Sequence, residues 1–298
     1  MVFPPFDPNP RPSRPRRFKP IPVRVLVPNL ITLLALCAGL TAIRMAVEHR
    51  LELALAAIVF AAALDGIDGR VARLLKGTSR FGAELDSLAD FVNFGVAPAL
   101  ILYFWGLHEL KSAGWIAALV FAICAGLRLA RFNVMIDDPD KPAWMGNFFT
   151  GIPAPAGAIT ALLPIYLYFL GVADNLITVW VTFFYTLAIG LLMVSRLPVF
   201  SGKRRGKRVP PEMVLPLFVV AVLFVALLIS YPWEVLAAGT LAYLVSLPLG
   251  ALSFRKHQRQ DEAAAAAAGT GAPPATTEAM PPPSVGDDTD DERPTRLN

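Results

Sequence analysis

From residue 28 to residue 253 the chain is a succession of long apolar runs separated by polar breaks. Each run is about 20 residues long, the length an α-helix needs to cross the hydrocarbon core of a bilayer. The runs fall near 28–47, 52–75, 83–107, 114–135, 152–171, 175–196, 212–231 and 233–253. Acidic residues interrupt the second and third. Pro153, Pro155 and Pro164 predict a fifth run that starts late or bends, because proline lacks the N–H that a helix interior needs. Only a tight turn at Tyr231, Pro232 and Trp233 separates the last two runs. The expected fold is all-α, a polytopic transmembrane helical bundle of about eight spans.

The two ends differ in character. Residues 1–25 are rich in proline and arginine, with Arg11, Arg14, Arg16, Arg17, Lys19 and Arg24, and have no apolar face. A disordered or surface-bound basic arm is expected there. It does not read as a cleaved signal peptide, because the apolar run after it is long enough to span and more spans follow. Residues 256–298 read as a disordered low-complexity tail, with alanines from Ala263 to Ala268 and then Pro, Thr and Asp. Such a composition lacks the apolar content to fold alone. Residues 26–255 remain as the transmembrane domain that would carry any chemistry.

Charged residues make up 17% of the 298 residues and hydrophobic ones 55%, with a mean hydropathy of +0.54. A typical soluble domain is about 25% charged. The net charge of +4 would suit nucleic acid, but the basic residues flank apolar runs. A lipid bilayer is therefore the expected partner, and no nucleic acid. Lys76 and Arg80, the run from Lys203 to Arg208, and Arg255, Lys256 and Arg259 fall in alternate breaks. The intervening breaks carry little beyond Arg50 and Lys111. With both termini cytoplasmic, every break obeys the positive-inside rule. Cys37 and Cys124 lie in apolar runs and read as packing residues; no cysteine–histidine cluster suggests zinc or a disulfide framework.

Against this background Asp65, Asp68, Asp86 and Asp90 are anomalous. Charge inside a membrane span is costly and is retained where it has work to do. The spacings i, i+3 and i, i+4 put each pair on one helix face. The short break near 75–82 makes the two helices antiparallel neighbours, so the four acids converge at the cytoplasmic edge. One reading is acids paired with arginines for helix packing. The other is a site for hard divalent cations, since the ligand set is oxygen only. Gly69 and Gly82 remove side chains where a ligand could approach the backbone, and Arg73 is placed to meet phosphate.

The pattern D-x2-D-G-x2-A-R-x8-G-x3-D-x3-D is matched in full by Asp65, Asp68, Gly69, Ala72, Arg73, Gly82, Asp86 and Asp90. It resembles the signature of the CDP-alcohol phosphatidyltransferase family. The resemblance implies an integral membrane enzyme that moves a phosphatidyl-type group from a CDP-linked donor to an alcohol and releases CMP. It further implies two divalent cations, Mg²⁺ or Mn²⁺, on Asp65, Asp68, Asp86 and Asp90. Asp90 would also be the catalytic residue that takes the proton from the attacking hydroxyl. Gly69, Arg73 and Gly82 match positions that line the CDP site, and a homodimer is implied as well.

Further segments bear on the acceptor. These are 28–32 (PNLIT), 94–98 (FGVAP), 127–133 (LRLARFN), 149–155 (FTGIPAP) and 195–203 (SRLPVFSGK). They resemble the bacterial branch of the family that uses CDP-diacylglycerol as donor and L-serine as acceptor, which implies a bacterial inner membrane. Asn93 stands where that branch is expected to carry serine. Arg128 and Arg131, three apart on one helix face, are candidates to hold phosphate or the serine carboxylate; Arg196 and Lys203 are weaker ones. The three histidines, His49, His108 and His257, form no H-x-K-x4-D pattern, which argues against a covalent-histidine route. Transfer to glycerol 3-phosphate, an inositol phosphate or choline, and divalent-cation transport, stay open as alternatives.

Overall fold

The computed structural model describes residues 23–136, 148–195, 198–200, 211–248 and 250. The arm up to residue 22, the tail, Arg196 and Lys203 lie outside the described residues. Helix α1 runs Val23–Val47 and α2 runs Leu51–Leu74, joined by a turn in which His49 takes a φ of 59°. The buried positions of α1 are Pro28, Thr32, Ala35, Gly39, Ala42 and Ala46, in steps of four and three. On α2 the stripe is Ala54, Ile58 and Ala61, continued by half-buried Asp65 and buried Asp68. Small side chains let the two backbones come close, which matters in lipid, where apolar contact alone gives helices no drive to associate. The stripe that is alanine and isoleucine for most of α2 turns to aspartate at its end.

Helix α3, Arg80–Phe91, continues through a π-helical turn at Val92–Val96 into α4, Ala97–Trp105. Its start at Arg80 is earlier than the apolar pattern indicates, because Ser79 caps it: Ser79 Oγ accepts from the Gly82 N–H at 3.0 Å. The π turn has a local cause. Pro98 has no N–H to offer the Phe94 carbonyl, and the Ala97 N–H reaches back to the Val92 carbonyl instead. Gly95 in that turn admits Phe91 and Ala125; a Cβ there would sit 3.2 and 3.1 Å from them. A 3₁₀ turn, Leu107–Leu110, leads to α5, Ser112–Ile136.

The fifth span is two helices, α6 (Ala154–Ala161) and α7 (Leu163–Phe169). It starts after Pro153 and breaks just before Pro164, as the prolines indicate. Helix α8 covers Leu176–Val194, α9 Pro211–Ser230, and α10 residues 232–248. The strands β1 (Phe148–Thr150) and β2 (Pro198–Phe200) pair antiparallel, with Phe149 opposite Val199. This pairing of distant segments is the departure from an all-helical reading. Gly151, at φ 79°, makes the exit from β1; a Cβ there would meet the Met193 and Ser195 carbonyls.

Among the described residues, five helical segments are long and apolar enough to cross a membrane: Val25–Val47, Arg80–Trp105, Ser112–Met135, Leu176–Val194 and Met213–Ser230. The other three expected spans are helical too. Of these, α2 carries the acids and arginines, α6 and α7 form the broken rod, and α10 closes the bundle. The core is made by Phe94, Ile101, Leu102, Phe121, Ile165, Tyr166 and Ile189. Helix α9 buries none of its apolar window, the pattern of a helix covered by lipid. By contrast, α10 packs on the core through Trp233, which stacks on Phe169 with ring centroids 4.6 Å apart, and through Ala237.

Candidate active site

The end of α2 and the start of α3 come together beside the start of α1. Oxygens of Asp65, Asp68 and Asp86 lie within 4.8 Å of one another. Asp90, one turn beyond Asp86, brings its carboxyl within hydrogen-bonding reach of Asp65. The four acids of the sequence pattern thus converge. Asp68 is the most buried, at 4% exposure. The Thr32 hydroxyl of α1 donates to Asp68 Oδ2 at 2.8 Å, and the Pro28 carbonyl lies farther off at 3.2 Å.

Among the described residues, the ion pairs are Arg44–Glu48 and Arg50–Glu48, around the α1–α2 turn at the other end of these helices. Among the described residues no arginine lies within ion-pair distance of the aspartates, which speaks against the packing-pair reading of the cluster. Carboxylates this close, partly withdrawn from water, repel one another unless a cation joins them. Oxygen-only donors at this spacing fit hard divalent cations and not zinc.

The glycines divide. A Cβ at Gly69 would meet nothing within 4 Å, so the helix face beside Asp68 is open. A Cβ at Gly82 would sit 2.7 Å from Asn29 Oδ1, so Gly82 lets α1 press against the start of α3. Arg73 is exposed in the last turn of α2. The two arginines of α5 also separate. Arg128 is 8% exposed; its guanidinium lies 5.0 Å from the Phe132 ring centroid and within electrostatic range of Asp90. Arg131 donates to the Val194 carbonyl at 2.6 Å, which caps the end of α8.

Sequence reasoning used Asn29 and Thr32 only as part of the segment 28–32 and assigned no role to Tyr243. Thr32 was detectable as a buried-stripe position of α1, but spacing within α1 does not say which helix it faces. Asn93 is 1% exposed, and its side chain fills the space a Cβ on Gly39 would take. The Asn93 amide sits against α1 at Gly39, with its Oδ1 buried and without a hydrogen-bond partner among the described residues. Asn133 Nδ2 donates to Ser87 Oγ at 2.9 Å and ties the end of α5 to the acid-bearing helix.

A transmembrane helix bundle with a cluster of carboxylates at one end defines an integral membrane protein with a candidate site for divalent cations. The family model described as CDP-alcohol phosphatidyltransferase matches residues 25–192, and a second, described as CDP-alcohol phosphatidyltransferase 2, matches residues 212–248. The chain belongs to the CDP-alcohol phosphatidyltransferase family. It is similar to a CDP-diacylglycerol–serine O-phosphatidyltransferase of Mycobacterium leprae, 41% identical over 236 residues that cover 79% of this chain and 77% of that one. It is also similar to proteins of that name from Helicobacter pylori, 37% identical over 76% of this chain and 91% of that one, and from Methanocaldococcus jannaschii, 34% identical over 60% and 77%.

Proposed function

We propose that this protein transfers the phosphatidyl group of CDP-diacylglycerol to the hydroxyl of L-serine, giving phosphatidylserine and CMP. The observation that carries the reading is the convergence of Asp65, Asp68, Asp86 and Asp90 into one site that, among the described residues, no arginine pairs with. The relatives' names support serine as acceptor.

In this reading two divalent cations, Mg²⁺ or Mn²⁺, held by Asp65, Asp68, Asp86 and Asp90, supply positive charge to the pyrophosphate when bound. Thr32 holds Asp68 in its orientation. The open face at Gly69 leaves room for the CDP head group beside the acids, with Arg73 set to meet phosphate. Gly82 lines the same site and keeps the start of α3 close to α1. Asp90 takes the proton from the serine hydroxyl. The serine oxygen then bonds to the phosphatidyl phosphorus, and the bond from that phosphorus to the bridging oxygen breaks. The electron pair leaves with CMP. Arg128 and Arg131 are the candidates to orient the acceptor carboxylate or a phosphate.

The reaction is placed at the cytoplasmic face of a bacterial inner membrane, with both termini cytoplasmic. The transmembrane domain, 26–255, carries it as a homodimer, and the arm, 1–25, and tail, 256–298, take no catalytic part. Alternating basic breaks support the orientation.

The test is a panel of labelled alcohols. Membranes containing the protein are incubated with CDP-diacylglycerol, Mg²⁺ or Mn²⁺, and labelled L-serine, glycerol 3-phosphate, inositol phosphate or choline. Label from serine should enter lipid with equimolar CMP release. Label entering from another alcohol in preference would overturn the acceptor assignment.

A further inference from the structure

Arg128 is a buried cation without an ion-pair partner among the described residues. It is 8% exposed, and among the described residues it makes no hydrogen bond or ion pair; its ring contact is Phe132. Asp90 lies within electrostatic range but beyond ion-pair distance. A buried hydroxyl without a partner lies in the same region. The Tyr243 hydroxyl, from α10, is buried without a hydrogen-bond partner and is also within electrostatic range of Arg128. A nearly buried guanidinium without a counter-ion and a buried hydroxyl without a partner are costly unless a ligand completes them. The guanidinium can only donate and the phenol can donate as well, so an anion satisfies both.

The position of Tyr243 is held by packing. Trp233 at the far end of α10 stacks on Phe169, Ala237 and Thr240 are buried, and Tyr243 follows about 15 Å along the same helix. The residues delivering it, α9 and α10, are matched by their own family model, separate from that of residues 25–192. Of the two helices it is α10 that packs on the core, through Tyr243, Leu244 and Leu247.

We propose that Tyr243 and Arg128 together bind the carboxylate of the acceptor, with Tyr243 as a specificity-determining residue supplied by the C-terminal hairpin. The proposal rests on serine being the acceptor. Arg128 stands between the two ends of that molecule: its carboxylate lies against Arg128 and Tyr243, and its hydroxyl reaches toward Asp90. A phosphate of the donor offers similar anionic chemistry, and the experiment separates the two.

The full-length protein is assayed in mixed micelles with Mn²⁺, varying L-serine and CDP-diacylglycerol in turn, as wild type, Tyr243→Phe and Arg128→Gln. Tyr243→Phe should raise the serine KM about tenfold, the size expected for one lost hydrogen bond to a charged group, with the donor KM within about twofold of wild type. Arg128→Gln should move serine KM further in the same direction. L-Serinamide, which lacks the carboxylate, should be a poor acceptor for wild type, and Tyr243→Phe should narrow the gap between it and serine. An unchanged serine KM in Tyr243→Phe, or a rise in donor KM instead, overturns the proposal while leaving the functional reading intact. A wild type that releases no CMP with serine overturns the functional reading itself.

Discussion

The Thr32 hydroxyl on α1 donates a 2.8 Å hydrogen bond to Oδ2 of Asp68, 36 positions along the chain on α2. It fixes the most buried carboxylate of the site from a helix that contributes no acid of its own. Thr32→Val keeps the shape of the side chain and deletes the donor. It should raise the Mn²⁺ concentration needed for half-maximal activity by about tenfold or more, in the range seen for groups that orient metal ligands. Thr32→Ser should restore most of it. A Mn²⁺ activation curve in Thr32→Val that overlays wild type would show that the bond has no bearing on the metal site.

Asp90 differs from the other three acids in its partner. Asp65, Asp68 and Asp86 group together, while Asp90 reaches Asp65 from one turn farther along α3. Asp90→Asn should reduce phosphatidylserine formation by at least about 100-fold, as expected for loss of a general base. Binding of CDP-diacylglycerol, measured by equilibrium binding in micelles, should be largely kept. Turnover near the wild-type rate would exclude Asp90 as the proton acceptor.

Gly69 and Gly82 make opposite predictions although both belong to the same pattern. Gly82→Ala drives a Cβ to 2.7 Å from Asn29 Oδ1 and 3.1 Å from the capping Ser79 Oγ; the Asn29 amide must turn aside and the cap loosen, and stability should fall by about 1 kcal/mol. Gly69→Ala meets no protein atom within 4 Å and replaces a helix-interior glycine, so stability should hold or rise by up to about 1 kcal/mol. Its cost should appear as a raised KM for CDP-diacylglycerol. Thermal unfolding in detergent together with steady-state kinetics separates the two effects. Equal loss of stability in both variants would contradict the division.

The acid cluster was legible in the sequence because it is local. Spacing put Asp65 with Asp68 and Asp86 with Asp90, and the short break between α2 and α3 made the pairs face each other. The prolines at 153 and 164 likewise announced the late start and the break of the fifth span. What stayed hidden depends on contacts between distant segments. Thr32 reaches Asp68 only because α1 lies along α2, and Tyr243 joins the core only after α10 folds back over it. The pairing of β1 with β2 joins segments separated by two spans, and no short-range pattern encodes that. Gly82 was read as backbone access for a ligand, whereas its neighbour is Asn29. A glycine in sequence does not tell whether the space beside it is open or filled by another helix.

The most direct test of the account is CMP release by the purified full-length protein after removal of metal with EDTA. CDP-diacylglycerol, L-serine, and Mg²⁺ or Mn²⁺ are added singly and together. The account predicts CMP and phosphatidylserine in equal amounts only when all three are present, and none when any one is left out. CMP release that proceeds without serine, or full activity in the metal-free protein, would contradict it.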